Sequence, residues 1–146
     1  MVKNIMICTH RNLDVWKKSI DFVTIIYKTT ESFPKSEIYG LTSQIRRSAV
    51  SIPSNIAEGA TRKSKIEFKQ FLYIALSSSA ELETQLIIAN NLNYINEHEF
   101  ESLLEKLYAI SRMTQGLIKT ILLSKDSSPS FSTSITSTFV FIYLNF

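Results

Sequence analysis

The chain has 146 residues, with 16 Lys plus Arg against 13 Asp plus Glu, a formal net charge of +3, and 45% hydrophobic and 20% charged residues. A chain of this length fits one domain and buries roughly two thirds of its unfolded surface, so neither a metal nor a disulfide is needed to hold it together. Three glycines and three prolines supply too little turn chemistry for a many-stranded protein, which leaves helices.

Cys8 is the single cysteine, and the first residues do not combine a basic stretch, a long apolar run and a small-residue cleavage site. A reduced, cytoplasmic setting is therefore expected. Helical periodicity begins after Asn12, a good capping residue. Leu13, Trp16, Ile20, Val23 and Tyr27 recur at alternating steps of three and four, the core stripe of a helix over 13–32 with Pro34 just past its end. A second helix is expected over 37–58, with Leu41, Ile45, Ala49, Ile52 and Ile56 inward and Gly59 as a left-handed terminator. Pro53 lies inside it. A proline there removes an amide donor and crowds the carbonyl of Ala49, at a cost of about 3 kcal/mol. The helix is expected to kink or restart, with Ser51, Ser54 and Asn55 offering side-chain partners to the freed backbone groups.

Ser64 and Glu67 have the spacing of a capping box and open a third helix, which continues through Phe68, Phe71, Leu72, Ala75, Ser79, Leu82 and Leu86 to about Asn91. Its middle reads ALSSSAEL. Side chains this small let another helix approach closely, either within the molecule or from another subunit. Asn96 and Glu99 repeat the capping pattern for a fourth helix, whose stripe of Phe100, Leu103, Leu104, Leu107, Ile110, Thr114, Leu117 and Ile121 ends near Ser124. Links of about four to six residues make sequential helices antiparallel neighbours, so the expected fold is all-α, an antiparallel up-down-up-down four-helix bundle with a kinked second helix.

The bundle domain takes residues 1–125. Residues 126–146 are a composition break, a Ser/Thr-rich linker followed by the uncharged, strand-forming run TFVFIYLNF. This tail is expected to be flexible or docked. An apolar run so short cannot span a bilayer as a helix, and no membrane partner is expected.

The sequence has no glycine-rich phosphate loop and no Cys/His spacing of a zinc site, and His10 and His98 have no triad spacing. Glu97, Glu101 and Glu105 recur at steps of four; without paired Glu-x-x-His motifs they read as a solvated acidic face and not as a metal site. No catalytic residue, cofactor or metal is therefore expected. The charge is unevenly spread. From Arg46 to Lys69 the cations Arg46, Arg47, Arg62, Lys63, Lys65 and Lys69 meet only Glu58 and Glu67, whereas every charged residue from Gln70 to Glu105 is a glutamate. Arginine grips phosphate with paired hydrogen bonds, and each neutralised phosphate releases counterions. These six residues are the candidate nucleic-acid-binding set, with an ordinary solvated face as the competing reading. Tyr39 and Tyr73 offer stacking surfaces for bases or belong to the core. Separate positive and negative regions also suit head-to-tail contacts between identical chains, which close into a ring when the rotation permits.

Several segments resemble a known family: LDVWKKSIDF at 13–22, FP at 33–34, EIYGLTSQIRRSAVSIPSNIAEGATRKS at 37–64 and EFKQFLYIALSSSAELETQL at 67–86. They are similar to the bacterial four-helix-bundle proteins encoded in intervening sequences of 23S ribosomal RNA genes, also labelled S23 ribosomal protein. With the fourth helix the likeness covers about residues 10–123, and QIRRSAVSIPSNIAEG is its most specific part. The resemblance implies small bundles that assemble into rings, typically pentamers. It also implies a relation to the accessory variability determinant of diversity-generating retroelements, a basic ring taken to engage nucleic acid and reverse transcriptase. Carried onto this sequence, Arg46, Arg47 and Arg62 lie where such contact would fall; the resemblance supplies no catalytic residue, and residues after Lys125 have no counterpart. The expected function is a non-enzymatic oligomeric accessory protein that binds structured or ribosomal RNA through a basic surface. The alternative is a scaffold or adaptor that binds another protein without touching nucleic acid.

Overall fold

The computed structural model describes residues 10–123, so the tail from residue 126 lies outside the described residues. Four α-helices follow in order, α1 (Asp14–Thr29), α2 (Leu41–Ala60), α3 (Lys65–Asn91) and α4 (Glu97–Leu123), with short 3-10 turns at His10–Asn12, Thr30–Ser32 and Lys35–Glu37. Each helix packs on its neighbours in the chain and α1 closes on α4, while α2 against α3 is the most extensive pair. This is the all-α up-down-up-down bundle expected. Its core is aliphatic: Ile26 of α1, Ile45, Ile52 and Ile56 of α2, Leu72, Leu82 and Leu86 of α3, and Leu103, Leu107 and Ile110 of α4 are buried. Each contributes roughly 1.5–3 kcal/mol on leaving water.

The inward stripe of α1 differs from the expected one. Val15, Ser19, Phe22, Ile26 and Thr29 are buried; of the expected stripe Leu13, Trp16 and Val23 are half-buried against the core, while Ile20 and Tyr27 are 40% and 41% exposed. Two apolar stripes run side by side on this helix, and polar side chains complete the buried one. Ser19 Oγ donates to the Trp16 carbonyl at 2.7 Å, and Thr29 Oγ1 donates to Glu99 Oε1 of α4 at 3.0 Å, so both hydroxyls enter the core already partnered.

The link over residues 30–40 is longer than expected, and α2 starts later. Glu37 fixes that start: its Oε2 accepts from the Leu41 amide at 2.9 Å while its Oε1 accepts from Tyr94 Oη at 3.3 Å. Beyond it, α2 runs through Pro53 as one helix and does not restart. Ser54 Oγ donates to the Val50 carbonyl and Asn55 Nδ2 to the Ser51 carbonyl, both at 2.8 Å, so the side-chain bonds fall on the two carbonyls that follow Ala49 and not on that of Ala49. Pro53 is itself buried, flanked by buried Ile52 and Ile56. Burial of those two isoleucines against the bundle offsets the roughly 3 kcal/mol proline penalty.

Gly59 does not terminate α2 in a left-handed conformation. It lies within the helix, and no glycine among the described residues has a positive φ. Close approach is what requires it, since a Cβ there would sit 2.7 Å from Phe71 Cβ and 2.8 Å from Phe68 Cδ2 of α3. The small residues of ALSSSAEL serve the same interface. Ser78 and Ser79 are buried and donate to the carbonyls of Ile74 and Ala75, and the Ser51 and Ser78 hydroxyls meet at 2.9 Å across α2 and α3.

Capping follows the sequence at α3 and α4 but not at α1, where Asn12 lies in the preceding 3-10 turn and the N-cap is Leu13, with no side-chain cap bond. Ser64 Oγ accepts from the amides of Ile66 and Glu67, and Asn96 Oδ1 accepts from the Glu99 amide at 2.9 Å. Helix α3 ends where Asn93 turns left-handed at φ 59°, with the Tyr94 amide donating to the Ala89 carbonyl and the Asn93 amide to the Asn90 carbonyl. The outward side of α3 carries exposed Ile66, Tyr73, Ile74, Ile87 and Ile88 interspersed with exposed Gln70, Ser77, Glu81 and Thr84.

Candidate nucleic-acid interface

The six candidate cations fall into two groups. Arg46 and Arg47 stand in the first half of α2, whereas Arg62, Lys63, Lys65 and Lys69 occupy the turn into α3 and its first residues. The helical rise between positions 47 and 62 is about 22 Å, so the sequence cluster is divided in space. The two groups still share a side of the molecule. Ser43, Arg47, Val50, Ser54 and Glu58 are all exposed at steps of three and four, forming one outward stripe of α2 that leads from the first group to the second.

In the second group, Arg62 pairs with Glu58 and lays its guanidinium 4.7 Å from the centre of the Phe71 ring. An exposed pair of this kind is worth only about 0.3–0.5 kcal/mol, weak enough for a phosphate to displace. Lys63 and Lys65 are exposed, and Lys69 is half-buried.

The first group is more constrained. Arg46 is half-buried at the seam of α1 and α2. Its Nε donates to Thr30 Oγ1 at 2.8 Å, its Nη2 donates to the Tyr27 carbonyl at 3.4 Å, and its guanidinium lies 4.6 Å from the centre of the Tyr27 ring. Thr30 Oγ1 is free to accept because its own proton goes to the Ile26 carbonyl at 2.9 Å. Neither Arg46 nor Arg47 forms an ion pair among the described residues.

Beside these arginines lies an open groove of about 430 Å³, bounded by Tyr27 of α1, by Ile38 of the link, and by Thr42, Ser43 and Val50 of α2 together with the arginines themselves. Thr42 is 4% exposed, and its hydroxyl has no hydrogen-bond partner. Tyr39 follows Ile38 in the chain and is 93% exposed; Tyr73 is exposed on the outward side of α3. Both are therefore surface aromatics, outside the core.

The expected acidic face is on α4. Glu97, Glu101 and Glu105 are exposed on α4, and among the described residues no three His, Cys, Asp or Glu side chains come together as a metal site. His10 packs edge-on against Trp16, with ring centres 4.9 Å apart, and His98 is exposed. Two tyrosines are held neutral beyond their usual range. A hydrogen bond from Tyr108 Oη to Glu83 Oε1 at 2.6 Å raises its pKa, with burial and the Glu83 charge adding to the effect. Burial raises that of Tyr94, with the Glu37 carboxylate adding to it.

The family model described as 23S rRNA-intervening sequence protein matches residues 11–116. The chain belongs to this family. A crystal structure of a protein of unknown function from the S23 ribosomal protein family of Bacteroides thetaiotaomicron is similar over 72% of this chain and 98% of that one, at 30% sequence identity and a TM-score of 0.65. No curated protein matches. The family match takes in all six candidate cations and every residue of the groove. No helix among the described residues is long and apolar enough to cross a membrane.

Tyr27, Thr30 and Thr42 are not legible as site residues in the sequence. Tyr27 sits in what reads as the apolar stripe of α1, and nothing in its spacing announces that Arg46 will cover its ring. The polar Thr29 and Thr30 at the end of that helix are the one available signal that something hydrogen-bonded is built there.

Proposed function

We propose that the chain is a non-enzymatic, cytoplasmic, oligomeric accessory protein that binds structured or ribosomal RNA through the outward stripe of α2. The observation that carries this reading is the adjacent pair Arg46 and Arg47, two guanidinium groups at the mouth of a groove with no carboxylate partner among the described residues. Neither guanidinium is spent on a carboxylate of the described residues, and phosphate matches the forked donors of the exposed Arg47. The family description names 23S rRNA, which puts ribosomal RNA first among ligands.

Self-association rests on α3, whose exposed Ile66, Tyr73, Ile74, Ile87 and Ile88 suit burial against another copy. A ring of copies, a pentamer for example, would repeat the arginine pair around one surface. The same side favours a second reading, an adaptor that holds a different protein there.

A titration of the full chain with total cellular RNA over about 50 to 200 mM salt tests the first reading. Affinity should fall linearly in a double-logarithmic plot, and Arg47→Ala should reduce the slope by about 1. Absent or salt-insensitive binding rejects it. A protein partner retained after nuclease treatment supports the adaptor, and light scattering gives the subunit number.

A further inference from the structure

We infer that the groove between the end of α1 and the start of α2 captures one unstacked nucleotide of the bound RNA, with the base lying on the Arg46 guanidinium and the phosphate held by Arg47. This rests on the RNA-binding reading and specifies what that RNA must present.

Arg46 is held in place by several contacts. Its guanidinium carbon lies over the Tyr27 ring, 4.6 Å from the centre, and its Nε and Nη2 are held by Thr30 Oγ1 at 2.8 Å and the Tyr27 carbonyl at 3.4 Å. The planar group held in this way also lines the groove. Guanidinium planes and aromatic rings are the surfaces on which unstacked bases settle. A base inside a duplex has both faces covered by its neighbours and cannot reach such a plane; a base from a loop, bulge or end can.

The rest of the groove suits the same occupant. Ile38 and Val50 are 55% and 39% exposed, bare apolar surface that a base would cover. The volume of about 430 Å³ lies in the range of small-ligand sites. Arg47 is exposed one helical turn beyond Ser43, and together they offer a charged fork and a hydroxyl to a phosphate near the positive end of α2. Thr42 adds a buried hydroxyl without a partner in the wall of the groove. Tyr39, 93% exposed and next to Ile38 in the chain, offers a second stacking surface for a flanking base.

The test uses the full chain and two RNAs with equal numbers of phosphates, a blunt duplex and a hairpin with 2-aminopurine in an unpaired loop. The hairpin should bind about 5- to 150-fold more tightly, the range that one stacked base supplies, with a change in 2-aminopurine fluorescence. Arg46→Lys keeps the charge and removes the plane; Ser43→Leu fills the groove from an exposed position. Both should lower hairpin affinity to that of the duplex, and Arg46→Lys should leave the salt slope unchanged, with circular-dichroism melts confirming the fold. Equal binding of the two RNAs by the unmodified chain, or a hairpin preference that survives both variants, overturns nucleotide capture while RNA binding stands. Binding of neither RNA removes both.

Discussion

Replacing Gly59 by alanine sets two effects of opposite sign against each other. Within a helix, alanine is favoured over glycine by about 1 kcal/mol, because the unfolded chain has less freedom to lose. Against this, the new methyl group would lie 2.7 Å from Phe71 Cβ, 2.8 Å from Phe68 Cδ2 and 3.2 Å from the Phe68 carbonyl oxygen. Phe71 Cβ and the Phe68 carbonyl cannot swing aside, so α3 must move as a body and disturb the largest interface of the bundle. Overpacking of this kind costs about 1–3 kcal/mol. Subtracting the helix-propensity gain leaves Gly59→Ala destabilised by up to about 2 kcal/mol. Gly116 is the internal control, since it is exposed on α4 and a Cβ there meets nothing within 4 Å. Gly116→Ala should therefore gain about 0.5–1 kcal/mol. Urea unfolding followed by circular dichroism, at one protein concentration, measures both variants. If Gly59→Ala were stabilised as much as Gly116→Ala, the close approach of α2 and α3 at this point would be refuted.

Ser64→Ala removes the acceptor for two amides of α3 and should cost about 1 kcal/mol in the same assay. Thr42→Val, which deletes an unpartnered buried hydroxyl, should be neutral or mildly stabilising, and a loss above about 1 kcal/mol would show that the hydroxyl has a partner after all. For Tyr108 the folded state favours the neutral phenol. Its contribution is present below the unfolded pKa near 10 and is lost as pH rises through the higher folded value. Unfolding midpoints should therefore decline above about pH 10, and Tyr108→Phe should make that decline shallower.

The sequence conveys α2, α3 and α4 well because their inward faces are aliphatic at steps of three and four, and the caps at Ser64 and Asn96 are ordinary local chemistry. Helix α1 is misread by one stripe because apolarity is the guide and its buried face includes Ser19 and Thr29, whose hydroxyls are satisfied by Trp16 and by Glu99 from another helix. Gly59 is misread for a related reason. Its role depends on Phe68 and Phe71 arriving from α3, which no local pattern announces. The same holds for the site. Six cations are visible as a run of letters, but the 13 helical residues 48–60 of α2 separate the two groups, and Arg46 is seated only because α1 and the turn after it lay Tyr27 and Thr30 beside it.

The way Arg46 is seated has a thermodynamic corollary. A long, free side chain that grips a ligand surrenders rotamer freedom, about 0.5–1.5 kcal/mol for each one immobilised. Arg46 has already surrendered that freedom when the bundle folds, through its bonds to Thr30 and Tyr27, while exposed Arg47 has not. The two neighbours should therefore differ calorimetrically, with Arg47 carrying the larger entropic loss at the moment of contact and Arg46 acting as a template fixed in advance.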